Sequence, residues 1–243
     1  SYVAMADYAN KRIVAVAGMP EIDDVPADKA KSKLYKQATA KDLQRRMSGE
    51  LFYTGTSIPT RKNAEIDAMS YENNVKLFFE MVDQPWPQIS QAQQSLIKEF
   101  NAATKVHITN SDGTDISMEL VDTDGSHFTF CNSLIAKNVP GSEIFSAPRR
   151  DSVNGTIVAK GRFSDHGAAI VEDLTLHFNK GRLESYTVGK GMESFERSIG
   201  IDDGARFVGE IGIGTNPHLK RHVVNGLLVE KIGGSFHIAL GRP

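Results

Sequence analysis

The spacing of apolar positions changes character near residue 104. Before it, the runs have helical spacing or read as short strands. KRIVAVAG (11–18) has the apolar run and closing glycine of a buried strand. Residues 28–51, DKAKSKLYKQATAKDLQRRMSGEL, are rich in good helix formers. LFYTGTSIPT (51–60) predicts a short strand ending at a proline. In SYENNVKLFFEMV (70–82), Val75, Phe78, Phe79 and Val82 recur at helical spacing, with Ser70 and Asn73 as a partial capping signal. QPWPQ breaks that helix, and 90–106 predicts another.

Beyond 104 the period shortens. VHITNSDGTDISMELV (106–121) reads as two alternating strands around Ser-Asp-Gly, a hairpin signal. GTIVAKGRF (155–163), LTLHFNKGRLESYTVGK (174–190) and GLLVEKIGGSFHIAL (226–240) also read as strands, with Lys180-Gly181 at a tight turn. One helical stretch, GMESFERSIG (191–200), interrupts them. The pattern predicts an α/β (α+β) chain. A partial N-terminal α/β domain, 1–104, precedes a strand-rich C-terminal domain, 105–243.

Composition narrows the function little. The 243 residues are 40% hydrophobic and 24% charged, ordinary for a soluble protein. A net charge of −2 gives no bulk attraction to nucleic acid or to an anionic membrane. No apolar run approaches the ~18–20 residues that span a bilayer. A single cysteine, Cys131, expected to be a buried thiol, fits a reducing cytoplasm.

The candidate chemistry lies in three strand-rich stretches. Glu143 follows Pro-Gly-Ser in KNVPGSEIFSAP (137–148). Glu210 sits among apolar residues and glycines in VGEIGIGTNP (208–217), and Glu230 precedes His237 in LVEKIGGSFHIAL (228–240). An unpaired carboxylate among apolar neighbours is costly. Several glutamates with one histidine form an oxygen-rich ligand set that suits Zn, Co, Mn or Fe in a hydrolytic site. Taken singly, each acid is more often a solvated or salt-bridged strand end, and His237 more often a core histidine. His218 and His222 would share a face only on a helix; a surface loop is the plainer expectation. His166 and His177 read as turn and strand residues, and His107 and His127 belong to no motif.

NVPGSEIFSAP, GARFVGEIGIGTNP and EKIGGSFHIALG resemble, in order, three signature blocks of the aminopeptidase T family of metallopeptidases. Residues 58–82 resemble that family's N-terminal domain. The resemblance implies a groove in a metal-binding, catalytic C-terminal domain, holding two divalent ions. It implies Glu143, Glu210 and His237 as ligands and Glu230 as a ligand or catalytic carboxylate. Glu210 and Glu230 are then the candidates for the base that moves the proton of an activated water. The resemblance implies a homodimer acting on peptides; the cysteine count and net charge add the expectation of a cytoplasmic protein with no nucleic-acid or membrane partner. Family members continue past this point to a tyrosine and a His-x-Asp pair. The chain, ending at Gly241-Arg242-Pro243, is therefore expected to be clipped at both ends and to show little peptidase activity alone. Related mononuclear iron dioxygenases that open dihydroxypyridine rings, and a truncated non-catalytic relative, are the alternatives.

Overall fold

The computed structural model describes residues 11–17, 29–135, 137–165 and 169–241. Strands β1 (Lys11–Ala17) and β2 (Phe52–Ile58) pair in parallel, joined through the helix Lys29–Met47. Parallel neighbours need such a crossover. Four strands follow in the chain: β3 (Lys105–Thr109), β4 (Asp115–Glu119), β5 (Cys131–Ser133) and β6 (Asn138–Val139). The last of these returns to extend the first sheet, in the order β1-β2-β6.

Local chemistry sets the helix starts. The Thr60 side chain accepts from the Asn63 N–H at the head of Arg61–Ile66, and Ser70 accepts from Asn73 N–H at the head of Tyr71–Val82. The next helix, Trp86–Ala102, begins four residues before the predicted 90. Pro87 lies in its first turn, where the N–H it lacks would have had no intrahelical partner. QPWPQ thus ends one helix and starts the next.

The remaining strands are β7 (Glu143–Ser146), β8 (Asn154–Asp165), β9 (Ala169–Asn179), β10 (Arg182–Lys190), β11 (Val208–Gly214) and β12 (Phe236–Leu240). They build two antiparallel sheets, β10-β9-β8-β4-β3 and β12-β11-β7-β5. Lys180 and Gly181, both with positive φ, make the tight β9–β10 turn. A common core includes Met118, Ile157, Leu176 and Phe178 of the larger sheet with Ile144 and Ile211 of the smaller. Phe195 and Ile199, from the helix Met192–Ile199, join it.

Two expectations fail here. GLLVEKIGGSFHIAL is not one strand: Gly226–Val229 is a helical turn capped by the Asn225 side chain, and only Phe236–Leu240 is extended. Cys131 is exposed, not a buried thiol, because β5 is an edge strand. A second apolar cluster, Met81, Leu219, Val223 and Leu228, packs the helix Tyr71–Val82 against the β11–β12 connection. The Asn216 side chain ties that connection to the Met81 carbonyl at 3.1 Å.

Candidate metal centre

Alternation divides the smaller sheet into two faces. Ile144 on β7, Ile211 and Ile213 on β11, and Phe236, Ile238 and Leu240 on β12 belong to the core. Glu143, Glu210, Gly212, Gly214 and His237 therefore share the other face. Their strands are neighbours, with His237 opposite Gly212 and Glu143 opposite Gly214.

The glycines let other groups pack onto this face. A Cβ on Gly212 would lie 2.2 Å from His237 Nε2, and one on Gly214 would lie 2.2 Å from the Ile232 carbonyl oxygen. Their missing side chains let the imidazole lie across β11 and let the 230–232 segment come down onto the sheet. That segment brings Glu230, the C-cap of the helical turn. The spacing between Glu230 and His237 is thus bridged by a turn, with Gly234 at φ 83°.

His237 Nε2 stands 3.3 Å from Glu143 Oε2 and 3.6 Å from Glu210 Oε1. One donor atom each from Glu143, Glu230 and His237 lies within 4.8 Å of the others. Among the described residues no other such group occurs. Glu143 Oε2 and both ring nitrogens of His237 are buried without a hydrogen-bond partner. Buried polar atoms are rarely left so. A carboxylate oxygen and imidazole nitrogens are donors a divalent cation accepts, so this cluster can hold one. Burial pushes the Glu143 carboxyl above its ordinary value. Lys231 pulls against that rise, Glu230 adds to it, and His237 opposes it. A divalent cation would favour the ionised form.

Sequence reasoning missed two residues here. Lys231 is wholly buried, and its ammonium donates to both Glu143 and Glu230. Its adjacency to Glu230 hid it, since neighbouring opposite charges usually both face water. Gln93, also wholly buried, reaches in from the helix Trp86–Ala102. Its amide N–H group donates to the carbonyls of Ser133 and Glu143 and to Thr215 Oγ1, while its oxygen accepts from Asn132. Nothing in the helical pattern distinguishes it from the adjacent glutamines.

The other histidines lie apart. Residues 218–222 are not helical, so His218 and His222 share no helix face; His218 is exposed. His222 bonds the Arg162 carbonyl, and its ring sits edge-on to Phe163, with centroids 4.8 Å apart. His107 pairs with Asp115 at 2.8 Å on the surface, and His177 on β9 bonds Thr156 at 2.9 Å. His127 is exposed, and His166 lies outside the described residues.

Known proteins share this fold, and curated relatives share part of its sequence. Aminopeptidase 2 of Geobacillus stearothermophilus is 28% identical over 109 residues, 43% of this chain and 26% of that protein. Aminopeptidase T of Thermus thermophilus is 30% identical over 136 residues, 54% of this chain and 33% of that protein. The solved structure of wild-type AmpT from Thermus thermophilus superposes with a TM-score of 0.76 at 20% identity, over 97% of this chain and 64% of that one. A 2,5-dihydroxypyridine dioxygenase from Pseudomonas putida gives 0.52 at 12% identity, over 89% of this chain and 75% of that one. At those identities the structural likeness is of fold alone. The chain spans a quarter to a third of the length of these two curated relatives. The profile of the family described as thermophilic metalloprotease (M29) matches residues 3–243, and the chain belongs to that family.

Proposed function

We propose that this face of the sheet is the site of a metal-dependent aminopeptidase, which removes N-terminal residues from peptides. The observation that carries the reading is that Glu143 Oε2 and His237 Nε2, both buried without a hydrogen-bond partner, face each other at 3.3 Å beside two further carboxylates. The names of the relatives supply the reaction class. Glu143, Glu210 and His237 would hold the ion, with Glu230 either a further ligand or the base. The oxygen-rich set with one imidazole suits Zn, Co or Mn.

A bound ion supplies Lewis acidity toward the scissile carbonyl and the attacking water. The protein's own part is to place and move a proton. A base must be reachable by water, which orders the carboxylates: the Glu230 side chain is 29% exposed, Glu210 20% and Glu143 6%. Glu230 is therefore the preferred base, with Glu210 second. Lys231 anchors one Glu230 oxygen and leaves the other to take the water's proton and pass it to the leaving amine. Gln93 holds the strand ends from which Glu143 projects. The glycines of β11 keep the backbone low, where a substrate must approach closely. The reading includes a cytoplasmic homodimer with peptides as partners, and neither nucleic acid nor membrane. The near-neutral charge gives no bulk attraction to nucleic acid, and no described helix is long and apolar enough to cross a membrane.

The test uses the product of the complete reading frame to which these 243 residues belong. Loaded with Zn, Co or Mn, it should release free amino acids from short peptides. A chelator should stop the release, and an N-acetylated peptide should resist. Cleavage of blocked and free peptides at equal rates, or activity indifferent to the chelator, refutes the reading. Ring opening of a dihydroxypyridine that requires Fe(II) would favour the dioxygenase instead.

A further inference from the structure

Lys231 is the most unusual residue of the site. It is 0% exposed, and lysine is almost never fully buried unless it is paired. Its backbone is pinned on both sides: its N–H donates to the Leu228 carbonyl at 3.0 Å, and its carbonyl accepts from Asn216 N–H at 3.0 Å. Asn216 is itself fully buried and tied to Met81. The ammonium meets one oxygen of Glu143 and one of Glu230. These are two of the three residues of the candidate ligand cluster. The other Glu143 oxygen has no hydrogen-bond partner and faces His237 Nε2, with Glu210 beyond it.

The carboxylates are therefore shared out. On one side they neutralise the Lys231 ammonium, and on the other Glu143 Oε2 faces His237 Nε2. With all groups ionised, Glu143, Glu210 and Glu230 against Lys231 leave a formal charge of −2. One divalent ion cancels that charge. A second would leave a buried excess of positive charge, with Lys231 in contact with the same carboxylates.

We propose that Lys231 is the resident second cation of the centre, so that these residues take a single divalent ion, seated at Glu143 Oε2, Glu210 and His237. The inference rests on the reading of this face as a metal centre, but it departs from the two-ion site that the family resemblance implies. The lysine fills the place of one ion, holds Glu143 and Glu230 together in the metal-free protein, and prevents a second ion from entering between them.

Equilibrium dialysis of the product of the complete reading frame against Zn2+ or Co2+, with metal counted per chain, tests this without any measurement of activity. The wild-type chain should saturate at one ion. Lys231→Gln keeps a hydrogen-bond donor but removes the charge. It should bind the first ion at least about tenfold more tightly, because a like charge beside the same carboxylate has gone, and it should admit a second. Lys231→Arg keeps the charge and should still stop at one ion. Two ions bound per wild-type chain overturn the proposal, whatever the variants do. So does a folded Lys231→Gln protein with unchanged affinity and stoichiometry. Binding of no ion at all would instead remove the metal-centre reading on which the proposal stands.

Discussion

Alanine at Gly212 is the sharpest perturbation of this site, because it adds one carbon and no chemistry. The backbone of Gly212 is not in the left-handed region, so an alanine there carries no conformational strain. Its Cβ would lie 2.2 Å from His237 Nε2 and 2.3 Å from Cε1. Ordinary van der Waals contact begins near 3.4 Å, so ring and strand must separate by about 1.2 Å. The strand has little freedom to yield, since it is paired on both sides and Ile211 is anchored in the core. The imidazole moves instead. Metal sites tolerate ligand displacements of about 0.2 Å. Disturbing even an outer-shell partner costs about 10–100-fold in affinity, so the displaced ligand should cost at least the upper end of that range. The overpacking should cost about 1–3 kcal/mol of stability. The assay is a Co2+ titration followed by visible absorption, with thermal melting in parallel. Ile213→Val serves as a control, because Ile213 packs against the core beside the same site. It should lose about 0.5–1.5 kcal/mol and leave Co2+ binding unchanged. A folded Gly212→Ala protein that binds Co2+ within about twofold of wild type would show that His237 does not coordinate from this position.

Three further outcomes are expected. His237→Phe should keep the fold, since its neighbours Phe236 and Ile238 already hold β12 to the core, and should lower metal affinity at least about 100-fold; global unfolding would favour a core histidine. Gln93→Leu removes a partner from Asn132 and the Glu143 carbonyl, while the Ser133 carbonyl and Thr215 Oγ1 keep their bonds to Ser142; it should cost about 1–3 kcal/mol in urea melts while weakening metal binding, and an unchanged midpoint would count against its role. Burial raises the Asp67 carboxyl above its ordinary 3.8, outweighing the Val224 N–H and the charges of Arg221, His222 and Arg162. The folded state therefore holds that proton to higher pH than the unfolded chain, and this group's contribution to stability falls as pH rises from 3.8 through the raised value. Asp67→Asn removes that slope, so its melting temperature relative to wild type should climb over the same window; a constant offset would contradict the shift.

Much of the fold was legible because local signals agreed with tertiary demands. The β3–β4 and β9–β10 hairpins stand where Ser-Asp-Gly and Lys-Gly placed them, since both turns and alternation point the same way. The exceptions have local causes. Proline was read at QPWPQ as a stop, although in a first turn it is equally a start. The run 226–240 was read as one strand because Leu227, Leu228 and Val229 look like strand residues. Asn225 accepts from the Leu227 N–H and commits the chain to a helical turn, and Leu228 then faces Met81 and Leu219. A short apolar run does not specify its period, and the cap decides it.

The candidate cluster was legible in its acids and its histidine and opaque in what neutralises them. Glu143, Glu210 and His237 could be suspected one by one, because a charge among apolar residues and glycines demands a reason. The reason for Gly212 and Gly214 is visible only across strands: each is small because something from the β11–β12 connection or from β12 lies on top of it. Lys231 is hidden by the same geometry. Beside Glu230 it looks like half of a solvated pair, yet the helical turn before it and the Asn216 contact after it aim its ammonium inward, at a glutamate 88 residues away in sequence. The charge balance of the centre is therefore set by the connection rather than by the strands. The strands fix where donor atoms stand. The connection fixes how many positive charges they still require, so changes at Asn216 or Leu228 should alter metal binding without touching a ligand.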